Sequence, residues 1–386
     1  MNYLPDGVQD FLPEEYRFKH NIEEILRKTF ETSGYEEIMP PTFEYSENFS
    51  NTSGLIFDKN NLYRFFDKKG NILALRPDVT TQIARIAATK YSDYPVKFCY
   101  IANVFRYDNP QVGRMREFTQ AGIELIGKNH EYSDAECIAV AVESLKNVGI
   151  KDFKVDIGQV EFFKSVLAEL NLKKDDEQVL KELLEQKNQS EIEYFLEKNN
   201  IKGVNFEYIV NLPLLFGDIE VIKKAKDVYK IEKAQEALGY LEHVYDMLKD
   251  YGMEDYVMFD LGMVQSIDYY TGLIFRIFVK DLGYAICAGG RYDNLLYNYG
   301  KNLPATGFAI SVERAMLALQ NQSVDYTKKP YSVGIIHTNE NRKKAYKLAL
   351  KLRKEGKIAE LINNDDMNYL KKKKFDEIIE IGEYDG

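Results

Sequence analysis

The segment REFTQAGIELIG (116–127) holds the residues best suited to gripping a small ligand. Read as a strand, it puts Phe118, Gln120, Gly122 and Glu124 on one face and Thr119, Ala121, Ile123 and Leu125 on the other. A carboxylate and an amide flanking a glycine offer hydrogen-bonding groups with room between them. A glutamate in mid-sheet is costly unless it meets a cation, so two readings stand: a ligand supplies the charge, or an internal arginine such as Arg106 does. In LRPDVTT (75–81), Asp78 and Thr80 fall at the first turn of a helix, where they either cap it or meet a ligand ammonium group. Arg106, Arg114, Arg116 and Arg314 form a scattered set of cations, and arginine forks suit phosphates. QSIDYYTG (265–272) and AGGRYDNL (288–295) bring two acid–tyrosine clusters able to orient an imidazole or an amide. The alternative for these is aromatic packing plus turn chemistry at Gly289-Gly290. No nucleophilic Ser or Cys stands beside a base, and no phosphate-cradling P-loop is present.

The elements that must hold these residues are legible in outline. Residues 14–33 have Ile22, Ile25, Leu26 and Phe30 at helical spacing and end at Ser33-Gly34. LYRFFD (62–67) and ILALRP (72–77) predict a hairpin, and VTTQIARIAATK (79–90) a helix following Pro77. VKFCYIANVFRY (96–107) and REFTQAGIELIG predict a second strand pair around a polar loop. Residues 160–255 turn rich in Lys, Glu, Leu and Asn with helical spacing, and strand-like YVMFDL, LIFRIFV and YAICAGG follow, so this stretch reads as an inserted helical subdomain. GFAISVERAMLALQ (307–320) predicts a strand running into a helix. Residues 330–386 predict a small α/β unit with a parallel crossover.

Composition bounds the function. The chain has 386 residues, 45% apolar and 29% charged, which is globular and long enough for two or three domains. Lys+Arg 51 against Asp+Glu 61 gives a net charge of −10, a poor default for gripping nucleic acid. The tail beyond residue 330 is near neutral, so the negative excess lies before it, and the lysines at 371–374 read as a solvated helix face. Cys99, Cys137 and Cys287 are odd in number and far apart, which excludes a disulfide framework and fits a reducing cytosol. Four unpaired histidines exclude an evident zinc site. No signal peptide is visible and no apolar run approaches roughly 18 residues, so a cytoplasmic protein is expected.

In order along the chain, these segments resemble the catalytic core of histidyl-tRNA synthetases, a class II synthetase family. PDGVQDFLP resembles the opening segment, FRYDNPQVGRMREFTQAGIELIG motif 2, SIDYYTGLIF and AGGRYDNL the two histidine-specific motifs, and GFAISVERAML motif 3. The resemblance spans residues 1–320 and implies an α+β fold: an antiparallel sheet core of six to seven strands, a helical insertion at about 160–255, and a dimer through the first motif. Residues 330–386 resemble the start of the anticodon-binding domain and stop after EIIEIGE, without its final strand and helix. The resemblance assigns Asp78, Thr80 and Gln120 to the α-amino group of histidine and Glu124 and Tyr270 to its imidazole, with Tyr269 and Tyr292 in the wall. Arg106 and Arg314 match arginines that grip ATP.

The departures from the synthetases carry the functional expectation. Synthetases have an arginine just before their Gly-Leu-Asp-Tyr-Tyr run, where the histidine carboxylate meets the ATP α-phosphate; here Gln265 and Ser266 stand instead. Glutamine hydrogen-bonds but cannot neutralise, and a preorganised cation at such a centre contributes several kcal/mol to the transition state. Gly272 replaces the arginine that follows Tyr-Tyr-Thr, and PDGV differs from the usual Lys-Gly-Thr. These departures match the synthetase-like regulatory subunits of ATP phosphoribosyltransferase. That resemblance implies a non-catalytic subunit without cofactor or metal, acting in the first step of histidine biosynthesis. Its partner would be a short-form catalytic subunit, met as a homodimer within a hetero-octamer, with histidine as effector and neither tRNA nor membrane as partner. The rival readings are an active histidyl-tRNA synthetase and a histidine-binding protein of the same fold with another partner.

Overall fold

The computed structural model describes residues 4–50, 61–107, 115–263, 270–280, 282–324 and 330–382, and the chain divides into two compact units after Val324. The first unit opens with helix α1 (Pro13–Thr32), whose Phe18, Ile22, Leu26 and Phe30 are buried at the predicted spacing. Strand β1 (Glu36–Glu37) follows, then β2 (Phe43–Tyr45), the short helix α2 (Glu47–Ser50), β3 (Arg64–Phe66) and β4 (Ile72–Leu75). Helix α3 (Thr80–Lys90) precedes the long strands β5 (Val96–Phe105) and β6 (Glu117–Ile126), then α4 (Glu131–Asn147) and β7 (Phe153–Gln159). The stretch expected to be helical contains α5 (Val160–Ala168), α6 (Lys174–Glu185), α7 (Gln189–Lys198), α8 (Val204–Asn211), the two-residue strand β8 (Phe216–Gly217), α9 (Glu220–Val228) and α10 (Glu232–Asp250). Strands β9 (Val257–Asp260), β10 (Leu273–Val279), β11 (Ala285–Arg291) and β12 (Ala305–Ser311) and helix α11 (Val312–Asn321) complete the unit.

Nine strands form one sheet in the order β1-β5-β6-β12-β11-β10-β7-β9-β8. The centre is antiparallel throughout. Only the pairs β1·β5 and β7·β9, toward the two edges, are parallel. The strand count exceeds the six to seven expected because the short edge strands β1, β8 and β9 are recruited by backbone pairing. The two-residue strands β1 and β8 carry too little periodicity to announce a strand, whereas β9 falls within the strand-like YVMFDL. A separate three-stranded sheet, β2-β4-β3, contains the predicted hairpin, with Arg64 opposite Ala74 and Phe66 opposite Ile72.

The centre of the large sheet carries the residues singled out above. Register sets Glu124 opposite Phe98 on one side and Gly307 on the other, and Gln120 opposite Ala102 and Ser311. On this face Val79, Ile83, Tyr100, Tyr270, Ile274 and Tyr292 pack into one apolar cluster. Helix α4 lies against β11 and β12, and α10 of the insertion lies against α4 and α5.

The second unit is a three-stranded parallel sheet, with β13 (Ser332–His337) between β14 (Ile358–Asn363) and β15 (Glu377–Glu380). Helix α12 (Arg342–Lys354) joins β13 to β14, and α13 (Met367–Lys372) precedes β15. Its core is Val333, Ile335, Ala345, Ala349, Leu352 and Ala359. Among the described residues, no helix is long and apolar enough to cross a membrane.

Candidate functional site

Alternation along β6 sends Phe118, Gln120 and Glu124 to the same side, and all three line a cavity of about 170 Å³. Asp78 and Thr80, from the start of α3, close one wall. Tyr270 and Tyr292, from segments flanking β10 and β11, close another. Arg106 and Arg314 also line it, with Phe118 and residues 285–288. Gln265 and Tyr269 lie outside the described residues, as does Arg114. Arg116 is not in the cavity; its guanidinium lies over the Tyr107 ring and donates to the Asp6 carbonyl.

Glu124 is buried, and its partners are hydroxyls rather than a cation. Thr80 Oγ1 donates to its Oε1 at 2.6 Å, and the Tyr292 hydroxyl donates to its Oε2. The internal pair with Arg106 does not form. Arg106 Nε donates instead to the Pro77 carbonyl at 2.8 Å, and its guanidinium lies over the Phe118 ring. Burial pushes the Glu124 carboxyl up to about 8; the two hydroxyls oppose the shift and the neighbouring Asp78 charge adds to it. Asp78 is buried as well and is raised by desolvation, against the lowering effects of Thr81 and Arg106. Its Oδ1 accepts only a long bond, 3.4 Å, from the Thr81 amide, so helix capping does not account for it. Gln120 is buried, and its Oε1 has no hydrogen-bond partner among the described residues.

Two buried carboxylates and one orphaned carbonyl oxygen around a small void form an acceptor-rich site. A guest with two separate N–H donor groups, at least one of them cationic, satisfies it. The arginines differ. Arg314 Nη1 donates to the Ala285 carbonyl at 2.6 Å, and its guanidinium lies over the Tyr284 ring.

Two readings of the glycines need correction. Gly122 does not leave room for a ligand: a Cβ there would meet the Phe308 carbonyl at 2.3 Å and the Tyr100 hydroxyl at 2.7 Å, so Tyr100 already fills the space. Gly289 and Gly290 form no turn but lie within β11, where bare backbone lets Phe308 and the Tyr270 ring approach. The glycine that makes the site is Gly307, opposite Glu124 across β12. A Cβ on it would lie 2.0 Å from Glu124 Oε2.

Behind the cavity lies a buried cluster that the sequence did not disclose. Asp134 of α4 accepts from Arg291 Nε and Nη2, each at 3.0 Å, and from the Tyr240 hydroxyl of α10. The available signal was an acid on an apolar stripe: Asp134 shares a helix face with Cys137, Ile138, Ala141 and Leu145, all buried.

Comparison with known proteins adds the family. The model for histidyl-tRNA synthetase matches residues 7–315. A protein of Thermoanaerobacter pseudethanolicus, called ATP phosphoribosyltransferase regulatory subunit, is 62% identical over 99% of this chain and 100% of its own length. The chain belongs to the family of ATP phosphoribosyltransferase regulatory subunits. A crystal structure from Bacillus halodurans, described as an ATP phosphoribosyltransferase regulatory subunit/histidyl-tRNA synthetase, matches with a TM-score of 0.89, 32% identity and coverage of 98% of each chain. The histidyl-tRNA synthetase of Nostoc sp. PCC 7120 matches with a TM-score of 0.80 at 22% identity, over 96% of this chain and 90% of that one, and shares the fold. Family members thus carry the class II synthetase-like sheet with its small C-terminal unit, as expected from the sequence.

Proposed function

We propose that this chain is the regulatory subunit of an ATP phosphoribosyltransferase, without catalytic activity of its own, and that histidine binds in the cavity at the centre of its large sheet. The full-length identity to relatives bearing that name carries the reading of role and partner. The acceptor-rich cavity supports the reading of ligand. The α-ammonium group of histidine would sit among Asp78, Thr80 and Gln120, and an imidazole N–H would face Glu124 with Tyr270 nearby. Tyr292, and Tyr269 by its place in the sequence, would wall the ring. An analogue lacking the imidazole donor would leave Glu124 without its guest, which is a strong basis for discrimination.

The partner would be a short-form catalytic subunit, engaged by homodimers of this chain in a hetero-octamer. Histidine would act as effector only if it binds one conformation of that complex more tightly than another. Gln265 argues against adenylate formation, since it offers no cation where two anions must meet. The deciding experiment mixes the purified chain with a short-form catalytic subunit and measures phosphoribosyl transfer with and without histidine. Activity should depend on this chain and fall with histidine. Robust histidine-dependent exchange of pyrophosphate into ATP by the chain alone would overturn the reading in favour of a synthetase.

A further inference from the structure

Arg291 precedes Tyr292, the residue whose hydroxyl reaches Glu124, and the segment that bears both is pinned from several directions. The Thr271 amide donates to the Arg291 carbonyl at 2.8 Å, and the Tyr292 amide donates to the Ala305 carbonyl at 2.8 Å. Asp293 accepts from the Ala305 amide at 3.0 Å and from Arg291 Nη1 at 3.3 Å, and its own amide donates to Thr271 Oγ1 at 3.0 Å. The Arg291 guanidinium then turns away from the cavity. Its fork closes on both oxygens of Asp134, and Nη2 also donates to the His130 carbonyl at 3.3 Å. Gly272 makes room for this side chain, since a Cβ there would come within 3.1 Å of Arg291 Cδ.

Asp134 is wholly buried and Arg291 is 4% exposed. A buried ion pair adds little net stability over an apolar pair of the same shape, so stability is a poor account of its presence. What a bidentate fork does supply is a fixed orientation. One more group completes the cluster, the Tyr240 hydroxyl, and it comes from α10 of the helical insertion rather than from the sheet.

The geometry points to Arg291 as a positioning residue: through Asp134 and Tyr240 it ties the seating of the helical insertion to the placement of Tyr292 against Glu124, and so to the affinity of the cavity. The inference rests on the reading of that cavity as the histidine site. By linkage, ligand bound at Glu124 then favours the docked insertion as strongly as the docked insertion favours ligand.

The test uses the full chain and histidine as the titrant. In calorimetry, Tyr240→Phe should weaken binding by roughly threefold to tenfold. In a Tyr292→Phe background the same change should have no further effect, because the route to Glu124 is already cut. The pH profile gives a readout that mere loosening would not move. Glu124 is faced by Thr80 and Asp78 at the start of α3, Tyr100 of β5, Cys137 of α4, Tyr270 and Tyr292, and Asp78 is the charged group among those that raise its carboxyl. Losing the Tyr292 donor removes one of the bonds that favour the ionised form, so the midpoint of the pH dependence should move upward in Tyr240→Phe. Independently of any ligand, amide exchange at residues 291–293 should quicken several-fold in that variant. Binding, profile and exchange all equal to wild type would overturn the inference, as would a Tyr240→Phe effect that persists undiminished beside Tyr292→Phe. A chain that binds no histidine yet shows faster exchange at 291–293 would overturn the reading of the cavity while upholding the positioning role.

Discussion

The acids and the arginines that line the central cavity are held on opposite principles. Asp78 and Glu124 are buried acids held above their ordinary range, and the Gln120 carbonyl oxygen is orphaned. The guanidiniums of Arg106 and Arg314 donate to backbone carbonyls and lie over aromatic rings. The acids are short of N–H donors; the arginines have already spread their charge over neighbours. The difference teaches that matching residue types do not imply matching strength. An arginine seated on carbonyls and rings attracts an anion less than one aimed at open space, whereas a desolvated carboxylate pair gains most from a cation.

The sharpest way to break that comparison is Glu124→Ala, which should weaken histidine at least about 100-fold in calorimetry, because the carboxylate is the only partner proposed for the imidazole donor. Equal affinity would remove this cavity from consideration. Asp78→Asn keeps shape and loses charge, and should cost roughly tenfold or more, read as a higher dissociation constant with an unchanged melting temperature. A third expectation concerns pH. Histidine should bind more tightly from pH 6 to 8 as Glu124 ionises, with protons released on binding and visible as a buffer-dependent heat. A raised folded-state carboxyl binds protons that the unfolded chain has shed, so the Glu124 contribution to stability is full below its unfolded range. It falls as pH rises and levels off near its folded value of about 8. The unliganded chain should therefore lose melting temperature relative to Glu124→Gln across that window; parallel curves would show that the carboxyl is not perturbed. Smallest of all, Arg314→Ala should leave histidine affinity within about twofold, since its charge is already engaged by the Ala285 carbonyl and the Tyr284 ring. A larger loss would mean that the arginines and the acids act as one site.

Much of this was legible in the residues. The faces of β6, the pairing of β5 with β6, the helical insertion and the parallel terminal unit all follow from period and composition, which are local properties. The partners of Glu124 were not, because Thr80 and Tyr292 lie 44 and 168 positions away and hydroxyls leave no charge pattern to match. The part played by Gly122 was misjudged for a related reason: a missing side chain shows that something comes close, not what does, and here it is Tyr100. The Asp134–Arg291–Tyr240 cluster joins three elements remote in sequence, and only the acid on an apolar helix stripe hinted at it.

Gly307 sits across one rung of the ladder from Glu124, with nothing but a hydrogen where any other residue carries carbon. The site is therefore one methyl group away from erasure. Alanine at that place would meet both Glu124 Oε2 at 2.0 Å and the Ile123 backbone carbonyl at 2.4 Å, so the room for the carboxylate and the close pairing of β12 with β6 depend on the same missing side chain.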